Sequence, residues 1–320
     1  MTFSVVIPAF NAAGYIVEAL DSVARQSAPP DEVLVVDDGS RDDTGAVVRA
    51  WFAANPACNG RLLEQPNGGI PVARNAGIRA CGGDWIALLD ADDVWEPDHM
   101  AALRAALAAA PDALAAYGAG RLLVDGVVQP RLYDDFWDNP SRRFGRPIPG
   151  SDCLRIDRAA LPRLIKGNFI KPSSLLVARS AARHAGLFDE GLRVSEDREF
   201  FIRLLLDGDF IYTPNAITQY RWHADNASGM RHNRRNMEYA LRALYCVERR
   251  SGPRFDVEQQ QTLQSETAEA VRQYLYTCAL DGFPAYAAGW RLVSALYGSL
   301  FAVRHLKLRH VVRGLLRTMR

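Results

Sequence analysis

Residues 83–98 read GDWIALLDADDVWEPD. The apolar run over 85–89 stops abruptly at Asp90, Ala91, Asp92 and Asp93. A short unbroken apolar run bounded by turn residues predicts a strand buried on both faces. The alanine-rich stretch that follows predicts a helix over 97–110. The same alternation repeats outward. Residues 4–7, 32–36 and 61–64 are further apolar strand candidates, and 15–26, 43–54 and 70–80 carry helical spacing, with Ile16, Leu20 and Val23 on one face. Residues 113–118 and 173–177 predict two more strands, and 196–206 a helix. Strands alternating with helices imply an α/β fold, with a Rossmann-like, mostly parallel sheet flanked by helices.

Ligands of such sheets sit beyond the carboxyl ends of the strands. Three polar clusters fall there: Asn11 after Pro8 and Ala9, the run Asp37-Asp38-Gly39-Ser40, and Asp90 to Asp93. Residues 124–166, rich in Pro, Gly, Asp and Arg, read as a loose segment able to cover the site. After residue 231 the chain becomes helical and increasingly basic. The expected organisation is a catalytic domain over 1–230 and a helical basic region over 231–320.

The chain has 320 residues, 48% hydrophobic and 23% charged, enough for a sizeable core. A formal net charge of +1 supplies no field that would argue for a nucleic-acid partner. The five cysteines are scattered, with no CxxC pair, which disfavours a disulfide scaffold or structural zinc and fits a reducing compartment. The first residues enter a strand pattern without a basic leader, and no apolar run reaches the roughly 20 residues of a membrane span. A cytoplasmic location is the expectation.

Each polar motif has a chemical and a plain reading. Three carboxylates crowded at a strand end repel one another unless a cation is near, and such oxygens suit Mg2+ or Mn2+. The plain alternative is a solvated turn. Asp37 and Asp38 could accept hydrogen bonds from a ribose or a base, or simply form a turn before a helix capped by Ser40 or Asp42. The loop Asn67-Gly68-Gly69 feeds the helix carrying Arg74, so its backbone could approach a nucleotide. GxxxxGK[ST] and an early GxGxxG are both absent, which counts against a Walker loop and a dinucleotide dehydrogenase. Glu196 and Asp197 open a helix, where acids serve the dipole, or Asp197 serves as a general base. Arg221 and His223, with Asn226 and Ser228 close behind, could meet a diphosphate or a metal, or be structural.

Together, VVIPAFN (5–11), PPDEVLVVDDGSRDDT (29–44), NGGIPVARNAGI (67–78), GDWIALLDADDVWEPD (83–98), GLFDEGLRVSEDREFFIRLLLDG (186–208) and YRWHADNAS (220–228) resemble the family 2 glycosyltransferases of the GT-A fold. The resemblance covers roughly residues 3 to 228. It implies an inverting transfer of one sugar from a nucleotide-diphosphate donor to a hydroxyl acceptor, in polysaccharide or glycoconjugate synthesis. The donor would lie against Pro8, Ala9, Asn11, Asp38, Asn67, Gly69, Arg74, Asp90 and Ala91. Asp92, Asp93 and His223 would hold the divalent cation, with the division of labour among Asp90, Asp92 and Asp93 left open. Asp197 would be the catalytic base, and Glu196 would order the saccharide or lipid-linked acceptor. No QxxRW follows, so single transfer is expected rather than polymerisation.

The tail from Arg291 carries seven Lys/Arg and no Asp/Glu. An amphipathic basic helix there suits an anionic membrane face, or packing on the catalytic domain or on a second subunit. Two rival functions use similar parts. A sugar nucleotidyltransferase would carry a basic Gly-rich loop near the N-terminus, where residues 8–14 have one Gly and no Lys or Arg. A non-catalytic nucleotide-sugar binder would be favoured by loss of Asp92 or Asp197, and both are present.

Overall fold

A computed structural model describes residues 1–223, 233–305 and 307–318. In chain order the elements are β1 (Phe3–Ala9), α1 (Ile16–Ala24), β2 (Glu32–Asp37), α2 (Thr44–Ala54), β3 (Gly60–Glu64), α3 (Ile70–Ala80), β4 (Trp85–Leu88), β5 (Val94–Trp95), α4 (His99–Ala109), β6 (Ala115–Val124) and β7 (Val127–Leu132). They continue with α5 (Pro140–Phe144), β8 (Arg146–Pro147), β9 (Leu154–Ile156), α6 (Leu161–Lys166), β10 (Leu175–Ala178), α7 (Arg179–His184), α8 (Glu196–Asp207) and β11 (Phe210–Trp222). Among the described residues the helices that follow are α9 (Asn233–Arg250), α10 (Val257–Leu280), α11 (Phe283–Tyr297), α12 (Ser299–Arg304) and α13 (Leu308–Thr318).

The sheet order is β3-β2-β1-β4-β10-β6-β11-β9-β8, with β5 paired to β11 and β7 to β6. The first four strands are mutually parallel, which is the Rossmann-like half. The runs of β1, β2 and β4 are mostly apolar because both faces are covered, whereas β3, at the sheet edge, carries Arg61 and Glu64 and has no buried residue. Val5, Ile7, Val33, Val35 and Ala87 share one core with Ile16 and Leu20 of α1, Val48 of α2 and Leu103 of α4. The alternate side chains Val6, Leu34, Val36 and Leu88 are equally buried. On that face α3 comes so close that a Cβ on Gly77 would fall 2.3 Å from Val6 Cγ1. Chain order turns back at β1, between β2 and β4, the place where ligands of open α/β sheets bind.

Beyond β4 the sheet is mixed. β10 runs antiparallel between β4 and β6, whereas β6 and β11 are parallel. The sequence pattern missed β5, β7, β8, β9 and β11. β11 was hidden by Pro214-Asn215, which look like a turn but sit where its register with β6 shifts between Thr213 and Ala216. Proline is tolerated at such irregularities because no ladder bond is asked of it there. The strand expected over 173–177 is a 3-10 turn, Pro172–Ser174, followed by β10.

The chain divides into two compact units, Met1–His223 and Ala224–Arg320. The second is helical, with a core that includes Leu241, Val271, Leu275, Tyr286 and Val293. Its longest helix, α10, opens on a capping box in which Asp256 and Gln259 exchange bonds with each other's backbone amides. The boundary expected at 230/231, and the residues Asn226 and Ser228, lie outside the described residues. Among the described residues no helix is long and apolar enough to cross a membrane.

Candidate active site

The ends of β1 and β2 are laced together. The Asp38 amide donates to the Ala9 carbonyl (2.8 Å), the Asn11 amide to Ser40 Oγ (2.9 Å), and the Arg41 amide to Asn11 Oδ1 (2.8 Å). Asp42 Oδ1 accepts from the Thr44 amide at the start of α2, while Asp43 holds the cap position without a side-chain bond. Asp38 is 3% exposed, and both its carboxylate oxygens are engaged. Oδ1 accepts from Gln65 Nε2 (2.7 Å) and the Gly68 amide (2.9 Å), and Oδ2 from the Gly69 amide (2.7 Å). Asn67 Nδ2 donates to the Asp38 carbonyl. Asp38 therefore shapes the 67–69 loop. Gly39 must be glycine here: its φ is +71°, and a Cβ would lie 2.8 Å from the Asn67 amide.

Arg74, near the middle of α3, is 2% exposed. Its fork donates through Nη2 to Asp90 Oδ1 and through Nη1 to Glu196 Oε1, each at 2.7 Å. Burial opposes its charge, but Asp90 and Glu196 outweigh that and hold the guanidinium above its ordinary range. Burial, then Asp197, push the Glu196 carboxyl up to about 7 against the pull of Arg74. Asn75, beside Arg74, binds the backbone of Phe188 in both directions and so fixes the segment leading to Glu196.

The acids after β4 divide by orientation. Asp93 points inward: Oδ1 accepts from the Arg221 amide (2.9 Å) and Oδ2 from Ser173 Oγ (2.5 Å). Burial, with Asp92 and Asp90 adding to it, raises its carboxyl well above the usual range. Asp92 stays accessible, its side chain 30% exposed, with Oδ2 3.0 Å from His223 Nε2. Burial and the neighbouring Asp90 raise its carboxyl too. His223 stacks on Tyr15 of the chain entering α1, with ring centroids 5.1 Å apart. Ala91 is buried between the acids.

Among the described residues no group of three or more His, Cys, Asp or Glu side chains is placed to hold an ion. Mg2+ commonly takes only one or two carboxylates and completes its shell with substrate phosphates and water. Asp92 and His223, with Asp90 beside them, fit that smaller share, whereas Asp93 has both oxygens occupied by protein donors.

Asp197 Oδ2 accepts from Asn168 Nδ2 and Oδ1 from the Arg198 amide, each at 2.7 Å. The side chain stays partly exposed. Ser195, just before it, has φ +64°, a left-handed turn that starts α8 at this point. The sequence reading did not single out Asn168, Lys171 or Ser173. Ser173 Oγ ties Asp93 to the Asp90 amide. Lys171 lies with its Nζ 4.5 Å from the Tyr133 ring centroid. Burial opposes its charge, but Tyr133, Asp197 and Asp93 hold the ammonium above its usual range. The only local signal of this segment was Pro172.

The site residues named from sequence fall into two bonded groups, the ends of β1 and β2 with Asp38 and the 67–69 loop in one, and Arg74, Asp90, Glu196, Asp92, Asp93 and His223 in the other; α3, which starts after Gly69 and carries Arg74, runs from the first to the second, and Asp197 follows Glu196 in the chain. The family model described as glycosyl transferase family 2 matches residues 4–150. The chain is 32% identical over 203 residues to the succinoglycan biosynthesis protein ExoO of Rhizobium meliloti, covering 60% of this chain and 52% of ExoO. It is 41% identical over 97 residues to the chondroitin synthase of Escherichia coli, 30% of this chain and 14% of that protein, so it spans about half of the one relative and a small part of the other. The fold is similar to residues 1–349 of TarS from S. aureus in complex with UDP-GlcNAc (TM-score 0.62, 19% identity, 92% of this chain and 82% of that one). It is also similar to the mannosyltransferase PcManGT from Pyrobaculum calidifontis in complex with GDP-Man and Mn2+ (TM-score 0.62, 20% identity, 99% of this chain and 83% of that one).

Proposed function

Residues 4–150 belong to glycosyl transferase family 2, and from that premise we propose that the chain moves a single sugar, with inversion, from a nucleotide-diphosphate donor to a hydroxyl of a saccharide or lipid-linked acceptor. The observation that carries this reading is the Arg74 fork, which joins Asp90 on the donor side to Glu196 on the acceptor side. A transfer enzyme needs those two sides held in one geometry, because positioning lowers the barrier of a reaction between two bound partners.

The nucleoside would lie over the ends of β1 and β2, against Pro8, Ala9 and Asn11, with the 67–69 loop set by Asp38 as its other wall. Asp90 and Ala91 would face the ribose and diphosphate. A Mg2+ or Mn2+ ion held by Asp92 and His223 would offset the charge that builds on the leaving diphosphate; the Mn2+ in the PcManGT complex supports that choice. Asp197 would take the acceptor hydroxyl proton as its oxygen attacks the anomeric carbon from the face opposite the leaving group. Asn168 and the Arg198 amide hold the Asp197 carboxylate in one orientation for that work. Glu196, fixed by Arg74, would order the acceptor. Five cysteines without a disulfide support a reducing, cytoplasmic setting.

The test is calorimetric titration of UDP, GDP and dTDP with and without Mn2+, followed by turnover with sugar donors of the nucleotide that binds. Metal-dependent binding of one nucleotide, lost in Asp92→Ala, is the expected result. Asp197→Asn should keep that binding and lose about 100- to 10,000-fold in turnover. Near-normal turnover of Asp197→Asn, or a product that retains the donor's anomeric configuration, would sink the mechanism.

A further inference from the structure

The last two helices of the second unit carry a surface that glycosyl transfer does not use. In α13, Gly314 and the buried His310 face inward: a Cβ on Gly314 would touch Phe283 at 3.3 Å, and one turn on Thr318 Oγ1 accepts from the Phe283 amide at 2.8 Å. The other side of the helix is left to solvent. Val312, Leu315 and Leu316, three and four residues apart, are 46%, 46% and 59% exposed. Arg309, Arg313 and Arg317, at steps of four, form a cationic column beside that apolar stripe, since residues so spaced share a helix face. Arg313 rests over the Tyr276 ring at 5.0 Å, which sets the direction of the column. On α12, Leu300 and Val303 are 81% and 56% exposed. From Gly282 to the end of the chain there is no Asp or Glu to offset seven Lys/Arg.

We propose that α12 and α13 form a docking surface for an anionic lipid bilayer, with Leu300, Val303, Val312, Leu315 and Leu316 entering the headgroup and acyl boundary while the arginine column meets lipid phosphates. A helix with an apolar stripe flanked by cations lies in the plane of such an interface. Charge selects this occupant. Five large aliphatic side chains in water beside an uncompensated run of cations match a surface that is apolar below and negative above. A second copy of this chain would bring the same cations against one another. The surface is independent of how the catalytic unit works.

The experiment is co-sedimentation of the full chain with phosphatidylglycerol–phosphatidylcholine vesicles and with pure phosphatidylcholine vesicles. At about 0.1 M salt the chain should partition onto the anionic vesicles at least about tenfold better than onto neutral ones, and about 0.5 M salt should reduce that binding. The triple variant Arg309→Glu/Arg313→Glu/Arg317→Glu should lose the preference. Leu315→Asn/Leu316→Asn should lose binding at unchanged charge. All the substituted side chains are exposed, and thermal melting checks that both variants fold. Equal partition onto neutral vesicles, no partition at low salt, or a concentration-dependent dimer that the leucine variant dissociates while vesicles are ignored would overturn the proposal.

Discussion

Arg74 Nη1 donates to Glu196 Oε1 at 2.7 Å across 122 residues of chain, and the same guanidinium reaches Asp90. Removing one partner from a buried charge network costs more than the network contributes net, because a desolvated charge is left behind. Arg74→Met should therefore lower unfolding free energy by about 3–5 kcal/mol. Arg74→Lys should lose less stability yet still lose turnover, since an ammonium cannot span both carboxylates with a planar fork. Urea midpoints and turnover of the two variants check this. A lysine variant with full activity would show that the two sides of the site need no common tie.

The Asp38 carboxylate takes three donors, two of them backbone amides of the 67–69 loop. Unpaired polar groups of this kind cost about 1–3 kcal/mol each. Asp38→Ala should therefore weaken nucleotide binding by at least about tenfold through disorder of the loop. Asp38→Asn keeps one acceptor oxygen and should fall between. Calorimetry with the cognate nucleoside diphosphate reads both. Equal affinity in wild type and Asp38→Ala would mean the loop is not part of the donor pocket.

The parallel half of the sheet was legible because β1, β2 and β4 are buried on both faces and so show as unbroken apolar runs. The acids at their ends were legible because a strand end is where such a sheet binds ligands. Orientation was not. Spacing treats Asp92 and Asp93 alike, and distant segments decide between them: β11 sends the Arg221 amide and Ser173 its hydroxyl to Asp93, while His223, just past β11, meets Asp92. Lys171 and Ser173 escaped for a related reason. They reach the site because β10 inserts antiparallel between β4 and β6, a pairing across roughly 60 to 90 residues that no local pattern encodes. Arg74 stood out in sequence as a phosphate or base ligand. Its burial between two carboxylates depends on how closely α3 packs against β1.

That close packing makes Gly77 sensitive. Alanine in a helix interior is ordinarily favoured over glycine by about 1 kcal/mol. At Gly77 the added methyl would meet Val6 Cγ1 at 2.3 Å, in a fully buried layer. Overpacking should win, with Gly77→Ala losing about 1–3 kcal/mol. Val6→Ala/Gly77→Ala should recover part of that loss, a coupling that a double-mutant cycle in urea measures. A Gly77→Ala chain as stable as wild type would show that α3 can move off β1 without cost.

Asp134 gives the sign of a pH effect. Its side chain is 7% exposed, accepts from the Gly120 amide at 3.3 Å, and lies near the phenols of Tyr212 and Tyr220. Burial raises its carboxyl from 3.8 to about 6. The folded chain therefore binds a proton that the unfolded chain has released between those values. Stability from this group is fully present below 3.8 and is lost as pH rises through about 6. The shift corresponds to at most about 3 kcal/mol. Asp134→Asn keeps an acceptor for Gly120 and removes the titration, so its stability relative to wild type should increase as pH rises from 4 to 7 and then level off. Any cost of placing the amide among the phenols is the same at every pH, so the slope of the difference, taken from urea midpoints across that range, is the measurement. A flat difference would mean that Asp134 titrates as an ordinary exposed carboxyl and that water reaches it beside the Gly120 amide.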